Sequence, residues 1–296
     1  MPTKDRPDDL KRMLTSLAVQ SVKPAQVIIV DGSEHPVVDV VAGIEGLPLE
    51  YVRHFPPSLA AQRNAGMAAL KPEIELAGYL DDDLVIERGA VEAMLDFWLG
   101  AGANVGGAAF NIIDHPPVRA RRLKHLLLMS SSRPGAMLRS GFPSPIGTVA
   151  ETTYTEWLSG GATVWRREVI TAFAYDEWFL GTGYLEDVDY SYRVSRRYRL
   201  AVVADARVQH LTHPVPADRQ FLVGRSQIIN RVYLARKHTG LSVALCAWAL
   251  LGTSSLNFGL SLLDRDRARL SRLRGNLAGV GSILRGRTDR LNGMFK

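Results

Sequence analysis

The chain has 296 residues, a formal net charge of +6 and the apolar and charged fractions of an ordinary globular protein, 46% and 22%. Because Cys246 is the only cysteine, an intrachain disulfide is excluded, and a reducing cytoplasm fits the composition. The charge is uneven: residues 225–296 carry 13 Lys and Arg against 3 Asp and Glu, which indicates a tail that meets phosphate in lipid or in nucleic acid.

The first 110 residues alternate between strand and helix patterns. Strands are predicted at 26–31, 49–53, 76–80 and 105–112, and helices from Pro7, at 59–70 after the capping residue Ser58, and at 88–99. This alternation is typical of an α/β fold, a mostly parallel sheet flanked by helices. In such sheets ligands bind at the carboxyl ends of the strands, where Asp31 and Asp81 lie. No G-x-G-x-x-G follows the first strand and no P-loop is present, which disfavours a dinucleotide site.

Three acidic residues in a row, Asp81, Asp82 and Asp83, end the apolar run 76–80. If the chain stays extended, Asp81 and Asp83 point the same way with Asp82 between them. A divalent cation such as Mg²⁺ or Mn²⁺ would balance their charge, together with substrate phosphates. The alternative is a solvated acidic turn.

Residues 114–155 show no clear period, as in a functional lid or an insert. Regular structure is expected again from Gly160 and Gly161, two glycines that permit another group to approach the backbone closely. A strand at 162–165 and a short helix at 167–174 are predicted next.

A second acidic centre lies at Glu186 and Asp187, which the helical spacing of the following residues places at a helix N-terminus. Acidic residues in a first turn are also common caps, so a structural role is the alternative. A strand at 200–208 follows and ends near His210. A lone histidine after a strand is more often structural than a ligand, and without nearby cysteine a closed zinc site is disfavoured.

The tail contains a helix at 217–238 and then 24 residues without a charge, 240–263, long enough to cross a bilayer. Basic residues flank this segment on both sides, whereas a single span should show a bias to one side. We therefore expect in-plane or re-entrant association first, a single span second and a buried helix third.

Five motifs in this order resemble family 2 glycosyltransferases: 2–7 (PTKDRP), 30–33 (VDGS), 62–66 (QRNAG), 80–83 (LDDD) and 186–189 (EDVD). The resemblance covers about residues 2 to 213. It implies a GT-A fold, an inverting transfer of sugar from a nucleotide-diphospho-sugar, and a requirement for Mn²⁺ or Mg²⁺. The tail is similar to that of bacterial members that act at the inner membrane.

The resemblance also implies roles for single residues. The nucleotide-sugar would be held by Thr3, Arg6, Asp31, Arg63, Asp81 and Asp82. The metal would be held by Asp83, Asp81 and His210. Asp187 would be the general base, with Glu186 as second choice, and Gly160, Gly161 and Trp178 would line the acceptor side.

The sequence departs from the family at its start, because the apolar strand that precedes Pro-Thr in the family is missing before Pro2. That strand lies inside the family's sheet, between the strands that end here at Asp31 and Asp81. We therefore expect roughly five to eight further residues, rich in Val and Ile, upstream of Met1.

The expected organisation has three segments: a nucleotide-sugar-binding half at 1–110, an acceptor-binding half at 111–239 and a membrane-associated tail at 240–296. The expected function is metal-dependent transfer of a sugar to a polysaccharide or glycolipid acceptor, on the cytoplasmic face of the inner membrane. The alternative is a non-catalytic scaffold with the same fold. Nucleic acid is not an expected partner, because the arginine-rich tail lacks interleaved aromatic residues.

Overall fold

A computed structural model describes residues 1–114, 122–179, 183–211, 213–264 and 267–286. The chain divides into two compact units. The first consists of Met1–Val118 and Ile146–Thr212, and the second of Arg119–Pro145 and His213–Lys296. The functional segments expected at 1–110, 111–239 and 240–296 stay a prediction.

The first unit opens with a three-stranded parallel sheet: β1 (Pro2–Thr3), β2 (Val27–Asp31) and β3 (Leu49–Arg53), in the order β1-β2-β3. The helices α1 (Pro7–Ala18), α2 (Val38–Ala42) and α3 (Leu59–Ala68) alternate with these strands along the chain. In the ladder, Thr3 pairs with Asp31 and Asp31 pairs with Arg53. Because the strands are parallel, their carboxyl ends place these three residues side by side.

A second sheet contains β4 (Leu76–Leu80), β5 (Leu84–Ile86), β6 (Val105–Ile112), β7 (Thr153–Thr155), β8 (Ala162–Arg166) and β9 (Arg199–His210). Its order is β4-β8-β6-β9-β5, with β7 also on β9. The β6–β9 pair is parallel, but the other four pairs are antiparallel, so this sheet is mixed. Its helices are α4 (Ala90–Gly100), α6 (Arg167–Ala172) and α7 (Glu186–Ser195).

At the position of the first strand, only the two residues Pro2 and Thr3 form β1, and the apolar residues expected upstream of Met1 stay a prediction. Strand β1 pairs with β2, and Val30 N–H also donates to the carbonyl of Met1 at 2.9 Å. In the described part of the chain no ladder joins β1 to β4. The strand that ends at Asp31, β2, and the strand that precedes Asp81, β4, therefore belong to two different sheets.

Packing, rather than intrinsic propensity, holds the helices of the first unit. Helix α1 has 12 residues, a length at which an isolated helix is marginal in water. Its buried face carries Leu10, Met13 and Leu14, none of which is exposed. Burying a side chain of this size contributes about 1.5–3 kcal/mol, so this face accounts for the stability of the helix. A separate cluster of buried hydrophobic side chains, around Trp165 and Tyr190, packs against α7.

The second unit is helical in its described residues. It contains α5 (Arg122–Leu126), a short 3₁₀ turn at Ala217–Arg219, α8 (Gln220–Lys237), α9 (Val243–Asp264) and α10 (Arg267–Leu284). Helices α8 and α10 pack closely because each has a glycine at the crossing. A methyl group at Gly224 would collide with the carbonyl of Arg272, and one at Gly275 with the carbonyl of Phe221.

Candidate active site

The three acidic residues at 81–83 form a turn between β4 and β5. The strand ends at Leu80, so the alternation expected of an extended chain does not apply. Asp82 and Asp83 turn toward one cation, Arg6, and Asp81 turns toward another, Arg63. The expectation that Asp81 and Asp83 point together is therefore wrong. Asp82 is only 4% exposed and Asp83 only 7%, which excludes a solvated turn.

Arg6 and Thr3 hold the middle of this turn. Arg6 Nη1 lies 2.9 Å from Asp83 Oδ2 and 3.3 Å from Asp82 Oδ1. Thr3 donates its hydroxyl hydrogen to Asp82 Oδ2 at 2.7 Å. Burial raises the pKa of Asp82 to about 6, although the hydrogen bond from Thr3 opposes the shift. The end of β1 is thus tied directly to the acidic turn.

His210, at the end of β9, faces the same turn, with Nε2 3.3 Å from Asp83 Oδ1. A carboxylate and an imidazole suit Mn²⁺ or Mg²⁺ when substrate phosphates and water complete the shell. Their spacing also fits, since neighbouring ligands of an octahedral cation with bonds of 2.0–2.1 Å are about 3 Å apart. Among the described residues, no group of three or more His, Cys, Asp and Glu side chains is arranged to hold a metal by itself. These residues fit a cation that is shared with substrate.

Asp31, predicted to hold the nucleotide, is completely buried. Its Oδ2 accepts hydrogen bonds from Tyr51 at 2.5 Å, Arg53 at 3.1 Å and the backbone of Val37 at 2.9 Å, and its Oδ1 accepts one from the backbone of Ser33 at 2.7 Å. Burial alone would raise its pKa, but the hydrogen bonds from Ser33 and Tyr51 lower it. The carboxylate is therefore ionised and enclosed by the chain's own donors, and its predicted role stays a prediction.

Helix α3 carries three consecutive side chains that fasten different segments. Gln62 donates to the carbonyls of Thr3 at 3.0 Å and Val30 at 2.8 Å, which ties β1 and β2 together at their carboxyl ends. Asn64 exchanges two hydrogen bonds with the backbone of Tyr175, at 2.8 and 3.0 Å. The roles of Gln62 and Asn64 were not predicted; the signal was the 62–66 motif, in which only Arg63 was assigned.

Arg63, which lies between Gln62 and Asn64 in the sequence, connects the two acidic centres, the turn at 81–83 and the start of α7. Its guanidinium donates to Asp81 Oδ1 at 2.9 Å and to Glu186 Oε1 at 2.7 Å. It also lies over the ring of Tyr175, 5.1 Å from the centroid, and is almost fully buried. Removing one partner of a buried ion pair typically costs about 3–5 kcal/mol, because the remaining charge stays uncompensated. The contact therefore fixes the acidic turn relative to α7.

Glu186 and Asp187 open α7, as predicted, and Leu185 before them has a φ of +77°. Such a conformation is strained for a leucine and marks a constrained turn. Asp187 accepts hydrogen bonds from the backbone N–H groups of Gly160 at 3.2 Å and Val188 at 2.8 Å. Burial raises the pKa of both carboxyl groups, and the charge of Asp187 raises that of Glu186 further, while Arg63 opposes both shifts.

Gly160 and Gly161 let both acidic centres approach one backbone segment. A methyl group at Gly160 would lie 2.6 Å from Cβ of Asp187 and 2.7 Å from Nη1 of Arg63. A methyl group at Gly161 would collide with the carboxylate of Asp81. The close approach predicted at this pair is therefore present, and the approaching groups belong to the chain itself. That these glycines line the acceptor side stays a prediction.

Trp178, predicted on the acceptor side, lies in the segment between α6 and α7. Its backbone N–H donates to Asp176 Oδ1 at 3.0 Å, and its ring is half-buried, edge-on to Phe179 at 5.6 Å. Asn64 fastens this segment through Tyr175. Trp178 therefore lies shortly after Tyr175, the residue to which α3 is hydrogen-bonded through Asn64. The contact of Trp178 with an acceptor stays a prediction.

Known proteins share this arrangement of elements. The family model described as "Glycosyl transferase family 2" matches residues 1–170. The mannosyltransferase PcManGT from Pyrobaculum calidifontis, solved with GDP-Man and Mn²⁺, is 14% identical, with a TM-score of 0.57 over 96% of this chain and 85% of that one. TarS 1–349 from S. aureus is also 14% identical, with a TM-score of 0.55 over 96% and 90%. No curated protein sequence matches the chain.

At these identities the solved structures show the fold, whereas the family match rests on sequence and spans 170 of the 296 residues. The matched region contains the turn at 81–83, the 62–66 motif and both glycines at 160 and 161. The chain therefore belongs to glycosyl transferase family 2 and is a glycosyltransferase with the GT-A fold.

Proposed function

We propose that the protein transfers a sugar from a nucleotide-diphospho-sugar to a hydroxyl of a glycan or lipid-linked acceptor, in a single displacement with inversion. The observation that carries this proposal is Arg63, which joins the turn at 81–83 to the carboxylates of α7 in one buried network. A donor site and a candidate base are thereby fixed close together, as direct transfer requires. Structures of relatives contain UDP-GlcNAc in TarS and GDP-Man with Mn²⁺ in PcManGT.

On the donor side, Asp83 and His210 would hold Mn²⁺ or Mg²⁺, and Asp81, which is paired with Arg63, would bind the ribose. The cation, when bound, neutralises the diphosphate that leaves. Thr3, Arg6, Asp31, Arg63 and Asp82 shape the nucleotide side. Arg6 is the exposed member of this set, and its guanidinium already lies against Asp82 and Asp83. A diphosphate bound at the turn would compete for that guanidinium.

On the acceptor side, Asp187 is the general base. Glu186 forms an ion pair with Arg63 at 2.7 Å, whereas Asp187 accepts hydrogen bonds from two backbone N–H groups and has no ion pair with any Lys or Arg in the part of the chain that the structure describes. Its pKa, raised by burial, makes it a better proton acceptor than an exposed aspartate. Glu186 acts through Arg63 and is a positioning residue. Gly160, Gly161 and Trp178 line the acceptor side.

The acceptor is proposed to lie at the cytoplasmic face of the plasma membrane, as part of a polysaccharide or glycolipid. One described helix, at Val243–Ser261, is long and apolar enough to cross a bilayer, with a mean hydropathy of 1.5. The basic charge of the tail supports contact with anionic lipid.

The test is a screen of nucleotide-sugars for Mn²⁺-dependent hydrolysis by the purified chain, followed by thermal shift with the matching nucleoside diphosphate. We expect one donor to be hydrolysed and its diphosphate to raise the melting temperature only with metal. Asp83→Asn should abolish this metal-dependent shift, and Asp96→Asn, at an exposed position of α4, should keep it. A wild-type chain with neither hydrolysis nor shift for any donor would support the scaffold alternative.

A further inference from the structure

Helix α9 has one buried and one exposed face. Its buried face carries Cys246, Ala249 and Leu250, which pack with residues of α8 in the core of the second unit. The other face exposes large apolar side chains at helical spacing: Trp248 (49% exposed), Leu251 (65%) and Phe258. Positions 248, 251, 255 and 258 follow one another by three or four residues, so they form one stripe. This stripe is defined here as the α9 stripe.

Helix α10 has a similar exposed face. Leu270, Leu277 (63% exposed) and Leu284 (82%) recur every seven residues, with Arg274 between the first two. The opposite face carries Gly275, whose lack of a side chain lets α10 pack on α8, and the fully buried Asn276. The α10 stripe is therefore the side turned away from α8.

Described residues of the second unit cover these stripes only in part; the Trp248 indole N–H, for example, donates to the carbonyl of Leu126 at 3.2 Å. Exposed apolar stripes on two helices that contact each other indicate a binding site for a protein or a membrane. The positive charge of α10 favours a membrane over a protein as the partner. Helix α10 contains the arginines Arg267, Arg269, Arg272 and Arg274 and no acidic residue, and Arg285 follows its last residue. A positively charged helix with an apolar stripe matches a bilayer that contains anionic lipid.

The packing also decides how the helices meet the bilayer. If α9 crossed the bilayer, its buried face would either separate from α8 or draw α8 into the bilayer. Asn257 of α9 donates to Asn276 of α10 at 3.2 Å, so α10 and its arginines would follow into the hydrocarbon. Arginine at that depth is strongly unfavourable, whereas at the interface its long side chain reaches the headgroups.

We propose that the α9 and α10 stripes form a monotopic membrane-binding surface, in which both helices lie in the plane of an anionic bilayer and α8 remains on the aqueous side. This inference deepens the membrane contact included in the proposed function. It does not depend on which sugar is transferred, and vesicle binding tests it without any donor.

The experiment is flotation of the full-length protein with vesicles of phosphatidylcholine, with and without phosphatidylglycerol. We expect strong binding only with the anionic lipid. Leu251→Asp and Leu277→Asp should each weaken it by about tenfold or more, because each removes one buried leucine side chain from the interface. Leu99→Asp changes an even more exposed leucine, on α4 in the first unit, and is the control.

Depth is measured by quenching of Trp248 fluorescence with brominated lipids, against a Trp248→Phe variant that removes this signal. Lipids brominated near the headgroup should quench most. Equal binding to neutral and anionic vesicles, maximal quenching by deep bromines, or full binding by both Asp variants would overturn the proposal. A dimer that forms without lipid and that Leu251→Asp converts to a monomer would also overturn the proposal, because the stripes would then bind a second copy of the chain. Donor-dependent thermal shift, unchanged in both Asp variants, separates this result from any failure of the proposed transfer.

Discussion

Arg63 donates a hydrogen bond to Glu186 over 2.7 Å, although 123 residues separate the two in sequence. The same guanidinium donates to Asp81, so one buried cation serves a carboxylate from each acidic centre. Burial raises the pKa of Glu186, and Arg63 opposes that shift. Burial and the neighbouring Asp187 still hold the pKa of Glu186 well above its usual range, so this carboxyl group depends on Arg63 for what stabilisation its ionised form has.

The first prediction concerns stability. Arg63→Met should destabilise the fold by about 3–5 kcal/mol near neutral pH, because Asp81 and Glu186 lose their shared cation. The pKa of Glu186 then rises further above its unfolded value, so the folded state binds more protons than the unfolded state. The loss should therefore shrink as the pH falls.

Urea unfolding at about pH 5 and about pH 8 measures this loss. Arg12→Met removes an exposed pair with Asp9 and should change stability by less than about 1 kcal/mol at either pH. Equal losses for the two variants would show that the Arg63 network does not stabilise the fold.

The second prediction separates the two carboxylates. Asp187→Asn should lower the transfer rate by about 10²–10⁴-fold with donor affinity near normal, since a base acts in the transition state. Glu186→Gln should have a smaller effect on the rate, because it acts through Arg63. Single-turnover transfer and donor binding are measured on both. If Glu186→Gln is the more severe, the roles are reversed.

The third prediction concerns pH. Because the base must be ionised and burial raises the pKa of Asp187, the transfer rate should rise with pH through a window above the usual range of aspartate. Arg63 lowers this pKa, so its replacement by Met should move the rise to higher pH. The measurement is the transfer rate at saturating donor as a function of pH, on the acidic side of the profile. If the profile of Arg63→Met rises at the same pH as that of the wild type, the ionising group is not Asp187.

The fourth prediction concerns the glycine pair. Gly161→Ala should weaken donor binding, because the new methyl group collides with the carboxylate of Asp81. Gly160→Ala should impair transfer as well, since it meets both Asp187 and Arg63. Gly100→Ala is the matched control, because nothing lies within 4 Å of the added methyl group. Titration with the nucleoside diphosphate compares the three variants. Normal affinity in Gly161→Ala would mean that the Asp81 contact does not shape the donor site.

Several features were predictable from sequence because their signals are local. The spacing of Leu10, Met13 and Leu14 gives α1, and the β-branched run before Asp31 gives β2. Acidic residues placed directly after an apolar strand and at the start of a helix indicated both acidic centres. The family resemblance, carried by motifs in order, is confirmed by the family match.

Tertiary structure alone decided which segments meet. No local pattern shows that β1 pairs with β2 and not with β4, or that β8 runs antiparallel to its neighbours. The turn at 81–83 was misjudged because its direction depends on Arg6 and Arg63, which come from other elements. Local periodicity follows from the geometry of one helix or strand, whereas the pairing of Arg63 with Glu186 depends on how distant elements are packed together.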